Sequence, residues 1–244
     1  MPPAQLLLPG IADDQDARWH VRISRRARRV SVRVYPGGRV EIVVPQGMRT
    51  NRVREFVSEH RGWIERRVRE FERLPAAHAE APPERLELPA FGCSLRIEYQ
   101  PASTRRVHQP EPEVVRVQGD PNDDTGAARA LCRWLIRWSS VHFAAVLDAV
   151  AESTALEYAN LVVRRQRTRW GSCSSRGMIS VNVCLAFLRP ELVRYLLLHE
   201  LCHTQQMNHS RRFWALVERH EPRYRELDRE LCAGWRSVPA WMFR

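Results

Sequence analysis

Two histidines four residues apart on a helix project from one face, one turn above the other. The stretch from His199 to His209, HELCHTQQMNH, holds such a pair in an H-E-x-x-H pattern. His199 and His203 therefore form a chelate. Zinc takes nitrogen, sulfur or carboxylate ligands at about 2.0–2.3 Å, and a catalytic zinc keeps three protein ligands and one open position. The third ligand must come from beyond the helix, because a residue one turn further along would sit too far down the axis. His209 meets that need, since Met207 and Asn208 can end the helix and let the chain fold back. Glu200 stands outside the ligand pair and is free to reach a metal-bound water. Zn²⁺ is the expected cofactor, and another divalent metal would suit the same donors.

The helix that carries the pair has a start signal in Pro190, which suits the first turn. Leu192, Leu196, Leu197, Leu198 and Leu201 make it too apolar for a surface segment. A buried helix presenting two imidazoles and a carboxylate needs a partner for them, because unpaired buried polar groups cost several kcal/mol. The competing reading, two core histidines satisfied by carbonyls with Glu200 at the surface, explains the residues but not their spacing. After His209, Ser210 caps a helix to about His220 that buries Phe213, Trp214, Leu216 and Val217, holding the third ligand from the far side. Pro222 begins a last amphipathic helix, with Tyr224, Leu227 and Leu231 inward, ending near Gly234. The tail RSVPAWMFR gives no reading.

Upstream, alternation predicts a half-buried hairpin between Val21 and Val44, with Val30, Val32 and Val34 on one strand, Val40, Ile42 and Val44 on the other, and a turn at Pro36-Gly37-Gly38. Thr50 opens a helix to about Arg73 with Val53, Val57, Ile64, Val68 and Phe71 as its apolar stripe. Residues 74–84 read as a linker. Strands follow near Leu86–Leu88, Leu95–Tyr99 and Val114–Val117, with a Pro-rich polar turn before the last. Asp124 or Thr125 opens a long helix to about Ser153, turning Leu131, Leu135, Trp138, Val146 and Ala149 inward; Trp134, Trp138 and Phe143 are read as core. Leu161–Val163 is a short strand, RTRWGSCSSRG a loop, and Met178–Leu185 a strand with Ile179, Val181 and Val183 on one face and Ser180, Asn182 and Cys184 on the other.

The expected fold class is α+β: a flexible arm (1–18), a β-rich N-terminal region with its helix at 50–73 (19–120), and a small catalytic region around the H-E-x-x-H helix (121–244), which the family resemblance given below implies is zincin-like. The net charge is +11, and every basic residue is arginine. That balance suits nucleic acid, nucleotides, acidic peptides or a membrane surface and decides among none of them. Arg25, Arg26, Arg28 and Arg29 offer a surface for nucleic acid, or charges that protect an edge strand. Between Tyr158 and Pro190, Arg164, Arg165, Arg167, Arg169, Arg176 and Arg189 occur with no acidic residue. Beside a catalytic metal such a run concentrates anionic substrates; alternatively its members pair with acids elsewhere, such as Glu157 or Glu191. The 6 cysteines form no C-x-x-C pair, so the chain is not a disulfide framework. Neither a signal peptide nor a membrane helix is visible, and a cytoplasmic protein without a membrane partner is the expectation.

Three blocks carry a resemblance: RTRWGSCSSRGMISVNVCL (167–185), RPELVRYLLLHELCH (189–203) and MNHSRRFWALVE (207–218). Together with SRRARRVSVRV and PGGRVEIVVP near the start, they closely resemble the YgjP-like metallopeptidase family, a zincin relative of SprT-like and WLM proteins. The resemblance implies that His199, His203 and His209 match the family's metal ligands and Glu200 its catalytic acid. The expected reaction is metal-assisted hydrolysis of a peptide, with Glu200 taking the proton from the metal-bound water and returning it to the leaving amine. Arg169, Trp170, Ser172, Asn182 and Tyr195 are the candidates for substrate contact, with Arg169, Ser172 or Tyr195 as oxyanion partner and Met178–Leu185 as the edge on which an extended peptide lies. Trp170 and Gly171 also read as a packed anchor and a turn, and Cys173 as a small buried thiol before a metal ligand. Two other functions fit the same residues. The arginines equally suit a phosphorylated substrate, making the chain a metal-dependent nucleotide pyrophosphatase, or the protein binds DNA and its metal is structural.

Overall fold

The computed structural model describes residues 18–35, 38–72, 83–166 and 168–243. The chain divides into two compact units, Met1–Ala76 and Ala77–Arg244. Apart from Arg18, the expected arm lies outside the described residues, as do Pro36, Gly37 and most of the expected linker at 74–84.

In the first unit β1 (Trp19–Ser24), β2 (Ser31–Val34) and β3 (Val40–Pro45) form a sheet in the order β1-β3-β2. The expected hairpin is β2–β3, with Val34 opposite Val40 and Val32 opposite Ile42. Alternation puts Val34, Val40, Ile42 and Val44 on the buried side. β1 is an additional strand, parallel to β3. On the polar side Glu41 collects Arg22 at 3.1 Å, Arg33 at 3.4 Å and the Tyr35 hydroxyl at 2.9 Å. Helix α1 (Thr50–Glu72) buries Val53, Val57 and Ile64; the side chain of Phe71 lies outside the described residues.

The second unit begins with a four-stranded sheet, β4 (Arg85–Leu88), β5 (Cys93–Pro101), β6 (Arg106–Glu111) and β7 (Val114–Gly119), in the order β4-β5-β7-β6. These strands share a compact unit with the helices that follow, and β6 and β7 pack against the first of them. β6 occupies the segment read as a polar turn. It is an edge strand whose pairing with β7 is irregular between His108 and Glu111, where Pro110 supplies no amide donor. Helix α2 (Asp124–Thr154) is capped by the Asp123 carboxylate, which accepts from the Gly126 amide at 2.8 Å. Leu131, Leu135, Phe143, Leu147 and Val150 face the core; Ala149, expected inward, is exposed, and Trp138 and Val146 are half-buried. Trp134 is buried and stacks on Trp138.

A second, three-stranded sheet in this unit has the order β8-β10-β9, with β8 (Asn160–Arg164) parallel and β9 (Gly171–Cys173) antiparallel to the central β10 (Met178–Asn182). β10 stops three residues earlier than alternation suggests. The Asn182 side-chain oxygen Oδ1 accepts from the Cys184 amide at 3.1 Å and turns Val183–Phe187 into a 3₁₀ helix. Helices α3 (Pro190–Gln205), α4 (Arg211–His220) and α5 (Tyr224–Ala233) follow, and α3 packs against α2, α4, α5 and β9. Such a helix is apolar on nearly every side because it lies inside the unit. The unread tail closes the core: two 3₁₀ turns, Gly234–Ser237 and Ala240–Phe243, bury Trp235, Val238, Trp241 and Met242. The fold is α+β, and none of the described helices is long and apolar enough to cross a membrane.

Candidate metal centre

The last turn of α3 and the short connection to α4 bring the three imidazoles together. Pro190 starts α3 at its first position and the helix ends at Gln205, so the chain reverses through Gln206–His209 before the Ser210 hydroxyl accepts from the Phe213 amide at 3.4 Å to start α4. Ligand atoms of His199, His203 and His209 all lie within 4.8 Å of one another, and the Nε2 atoms of His199 and His209 are 3.1 Å apart. Two nitrogens bound at about 2.0–2.1 Å across a tetrahedral angle are separated by roughly 3.3 Å, so the spacing suits a shared divalent ion.

The tautomer of His203 follows from its partner. Its Nδ1–H donates to the Gln206 carbonyl at 2.9 Å, because a carbonyl can only accept, and this selects Nε2 as the nitrogen that would face a metal. Burial and the neighbouring imidazoles push His199 down to about 3, and burial with His203 lowers His209. Both rings stay neutral, the form that ligates metal. Phe213 stacks on His203 at 4.4 Å with 22° between planes, and Trp214 stacks on His209 at 5.6 Å with 25°. Adjacent residues at the start of α4 thus back two of the three rings. Tyr195, one turn before His199, meets that ring edge-on at 6.1 Å and donates its hydroxyl to Asp228 of α5 at 3.0 Å.

Glu200 is 4% exposed, and its Oε2 is buried without a hydrogen-bond partner. Burial pushes its carboxyl up to about 8, against the pull of Arg169. A carboxylate so placed is costly unless it meets a cation or a proton carrier. Its Oε1 lies against the backbone of Gly171: a Cβ there would come within 2.6 Å of it. The donor set, the neutral imidazoles and the orphaned carboxylate oxygen fit a bound divalent metal.

The YgjP-like metallopeptidase domain model matches residues 28–233. The chain belongs to the YgjP-like family. As a member it is a metal-dependent hydrolase of the metallopeptidase kind. Two solved metallopeptidase zymogens are similar over 36% of this chain: abylysin of Pyrococcus abyssi, at 23% identity over 90% of that chain with a TM-score of 0.34, and jannalysin of Methanocaldococcus jannaschii, at 19% over 92% with a TM-score of 0.33. No curated protein matches the chain.

In this YgjP-like protein the five substrate-contact candidates separate into two groups. Arg169 is exposed beside Glu200, and Ser172 is half-buried on β9, opposite Ser180. The other three are built into the fold. Asn182 is fully buried, donating to the carbonyls of Gln166 (2.8 Å) and Arg169 (2.9 Å) and accepting from the Cys184 amide, so it pins Gln166 and Arg169 and cannot meet substrate. Tyr195 is 1% exposed with its hydroxyl committed to Asp228. Trp170 is buried and stacks on Trp235 at 4.1 Å, as an anchor. β10 cannot be the peptide-binding edge either, because β8 and β9 occupy both its sides; the edge beside Glu200 is β9.

The arginine run also divides. Arg189 pairs with Glu230 and with Glu191 at 3.3 Å, and Arg165 donates to the Met242 carbonyl at 3.4 Å. Arg164, Arg169 and Arg176 are exposed, and Arg167 lies outside the described residues. Cys173 is not among the clustered ligand atoms; its thiol, pushed up to about 11 by burial and then by Glu200, donates to the Ser174 carbonyl. None of the six cysteines is in a disulfide. Sequence reasoning missed Asp228, Trp235 and the contact of Gly171 with Glu200. Only the last had a signal, a glycine within an otherwise donor-rich run, which marks close backbone approach.

Proposed function

We propose that the chain is a zinc peptidase in which His199, His203 and His209 hold the ion and Glu200 moves the proton. The observation that carries this reading is the convergence of three imidazoles within 4.8 Å, with a dry carboxylate on the same helix. A divalent ion there supplies Lewis-acid chemistry, polarising a carbonyl and acidifying water. The Gln206 carbonyl holds the His203 ring in its ligating tautomer, and the Phe213–Trp214 pair keeps the rings from turning. Glu200, excluded from solvent and pressed against Gly171, takes the proton of the attacking water and delivers it to the leaving amine. β9 pairs by its backbone with an extended peptide, and the Arg169 guanidinium beside Glu200 steadies the developing oxyanion.

The test is a pair of variants of the zinc-loaded protein, assayed with unstructured peptides and, separately, with nucleoside triphosphates. His203→Ala loses bound metal by elemental analysis. Glu200→Gln keeps it and loses peptide turnover by roughly 100-fold or more. Metal retained in full by the His203 variant would overturn the ligand set. Triphosphate hydrolysis without peptide cleavage would replace the peptidase by a pyrophosphatase.

A further inference from the structure

Beside the imidazoles, α4 and α5 enclose an open groove of about 680 Å³ lined by side chains from both helices. Pockets of this size hold several side chains of a ligand. Its aromatic wall is continuous with the metal centre. Trp214 stacks on His209 through one part of its surroundings and on Tyr224 at 5.3 Å through another, and both Trp214 and Tyr224 line the groove. A peptide whose scissile bond lies at the imidazoles therefore has its flanking residues within reach of this wall.

The charges of the groove do not cancel. Arg211, Arg225 and Arg229 line it with Glu218 and Asp228. Glu218 is taken by Arg225 at 3.3 Å, and Arg225 also lies over the Tyr224 ring at 4.9 Å. Asp228 accepts from the neutral Tyr195 hydroxyl and keeps its charge, so the three arginines outweigh the two acids by one positive charge. Arg229 spends only its Nε, on the Arg225 carbonyl, and neither it nor Arg211 has an ion pair among the described residues. Two guanidinium groups thus face an aromatic-walled groove with unused donors. Forked donors of this kind match a carboxylate.

We infer that the groove between α4 and α5 is a specificity subsite that takes a carboxylate of the peptide substrate through Arg211 and Arg229. The inference rests on the peptidase reading and adds to it the substrate class. The carboxylate is either an acidic side chain near the scissile bond or the free C-terminus of a short peptide.

The experiment uses the full chain loaded with zinc and quenched peptides in matched pairs, Glu against Gln at each position flanking the cut, and free acid against amide at the C-terminus. One pair should show a roughly tenfold higher kcat/KM for the charged member, the size of one charge-assisted contact, and which pair does so identifies the source. Arg211→Glu should invert the preference toward a Lys-containing peptide, which a merely structural role would not do. Anisotropy with the zinc-loaded Glu200→Gln variant reads the same preference as binding, independent of turnover. Equal rates and equal binding for both members of every pair overturn the subsite while leaving the peptidase intact. Selective binding of acidic peptides by the Glu200→Gln variant, with no peptide cut by the unmodified chain, supports the subsite and sinks the peptidase. Absence of both cleavage and binding removes the two together.

Discussion

The two sheets of the second unit are built on the same plan and finished differently. Each has one parallel pair: β5–β7 lies between two antiparallel neighbours in the four-stranded sheet, whereas β8–β10 has an antiparallel neighbour, β9, on one side only in the three-stranded sheet. The four-stranded sheet closes its β6 edge with Arg106, Pro110, Glu111 and a break in register, the devices that stop an edge from pairing with another chain. The three-stranded sheet ends in β9, Gly-Ser-Cys, with neither proline nor charge, and no further strand pairs with it among the described residues. An open edge is a hazard wherever it has no use. Here β9 runs past Glu200, so the edge left without proline or charge is the one on which a peptide would lie across the proposed site.

The strongest way to break that contrast is Gly171→Val. A side chain at this position meets Glu200 Oε1 within 2.6 Å, and a 4%-exposed carboxylate has little room to retreat. On the proposed mechanism, peptide turnover should fall by roughly 100-fold or more, as for Glu200→Gln, while the zinc content of the zinc-loaded protein by elemental analysis stays that of the unmodified chain. Turnover within a fewfold of the original would mean that β9 does not position Glu200. Asn182→Ala should act next, on stability. It empties a buried position whose amide serves the carbonyls of Gln166 and Arg169 and the amide of Cys184, and a loss of about 2–3 kcal/mol in urea unfolding is expected. Tyr195→Phe is milder, about 1 kcal/mol, because only the bond to Asp228 goes and the ring remains packed on His199.

What the amino-acid sequence alone makes legible is local. H-E-x-x-H spacing, Pro190 at a first turn and Ser210 as a cap each act within four residues, and the helices start where those residues place them. Alternation recovered β2 and β3 for the same reason. It failed where one residue overrides the pattern: Val183 continues the apolar period of β10, but the Asn182 side chain bonds two residues ahead and ends the strand. It failed again at β9, too short to alternate, and at β6, where Pro110 makes a strand look like a turn. Around the histidines, the clustering of the three imidazoles was legible from spacing, whereas the contacts of Glu200 with Gly171, Tyr195 with Asp228 and Trp170 with Trp235 join segments far apart in sequence. No periodicity encodes those, and they are what reassigns Asn182, Tyr195 and Trp170 from substrate contacts to supports.

The smallest effect sharpens the comparison from the protected side. Pro110 is exposed on β6, at the place where register with β7 is lost, and its ring withholds the amide that a further strand would need. Pro110→Val restores that donor and adds a residue that favours extended backbone. Nothing in the metal centre touches it, so peptide turnover should be unchanged and folding stability should move by no more than about 0.5 kcal/mol. The change should appear instead in light scattering on concentration or gentle heating, as β6 begins to pair between molecules. If scattering is unaltered, the protection of this edge comes from Arg106 and Glu111, and the double replacement of those charges becomes the decisive variant.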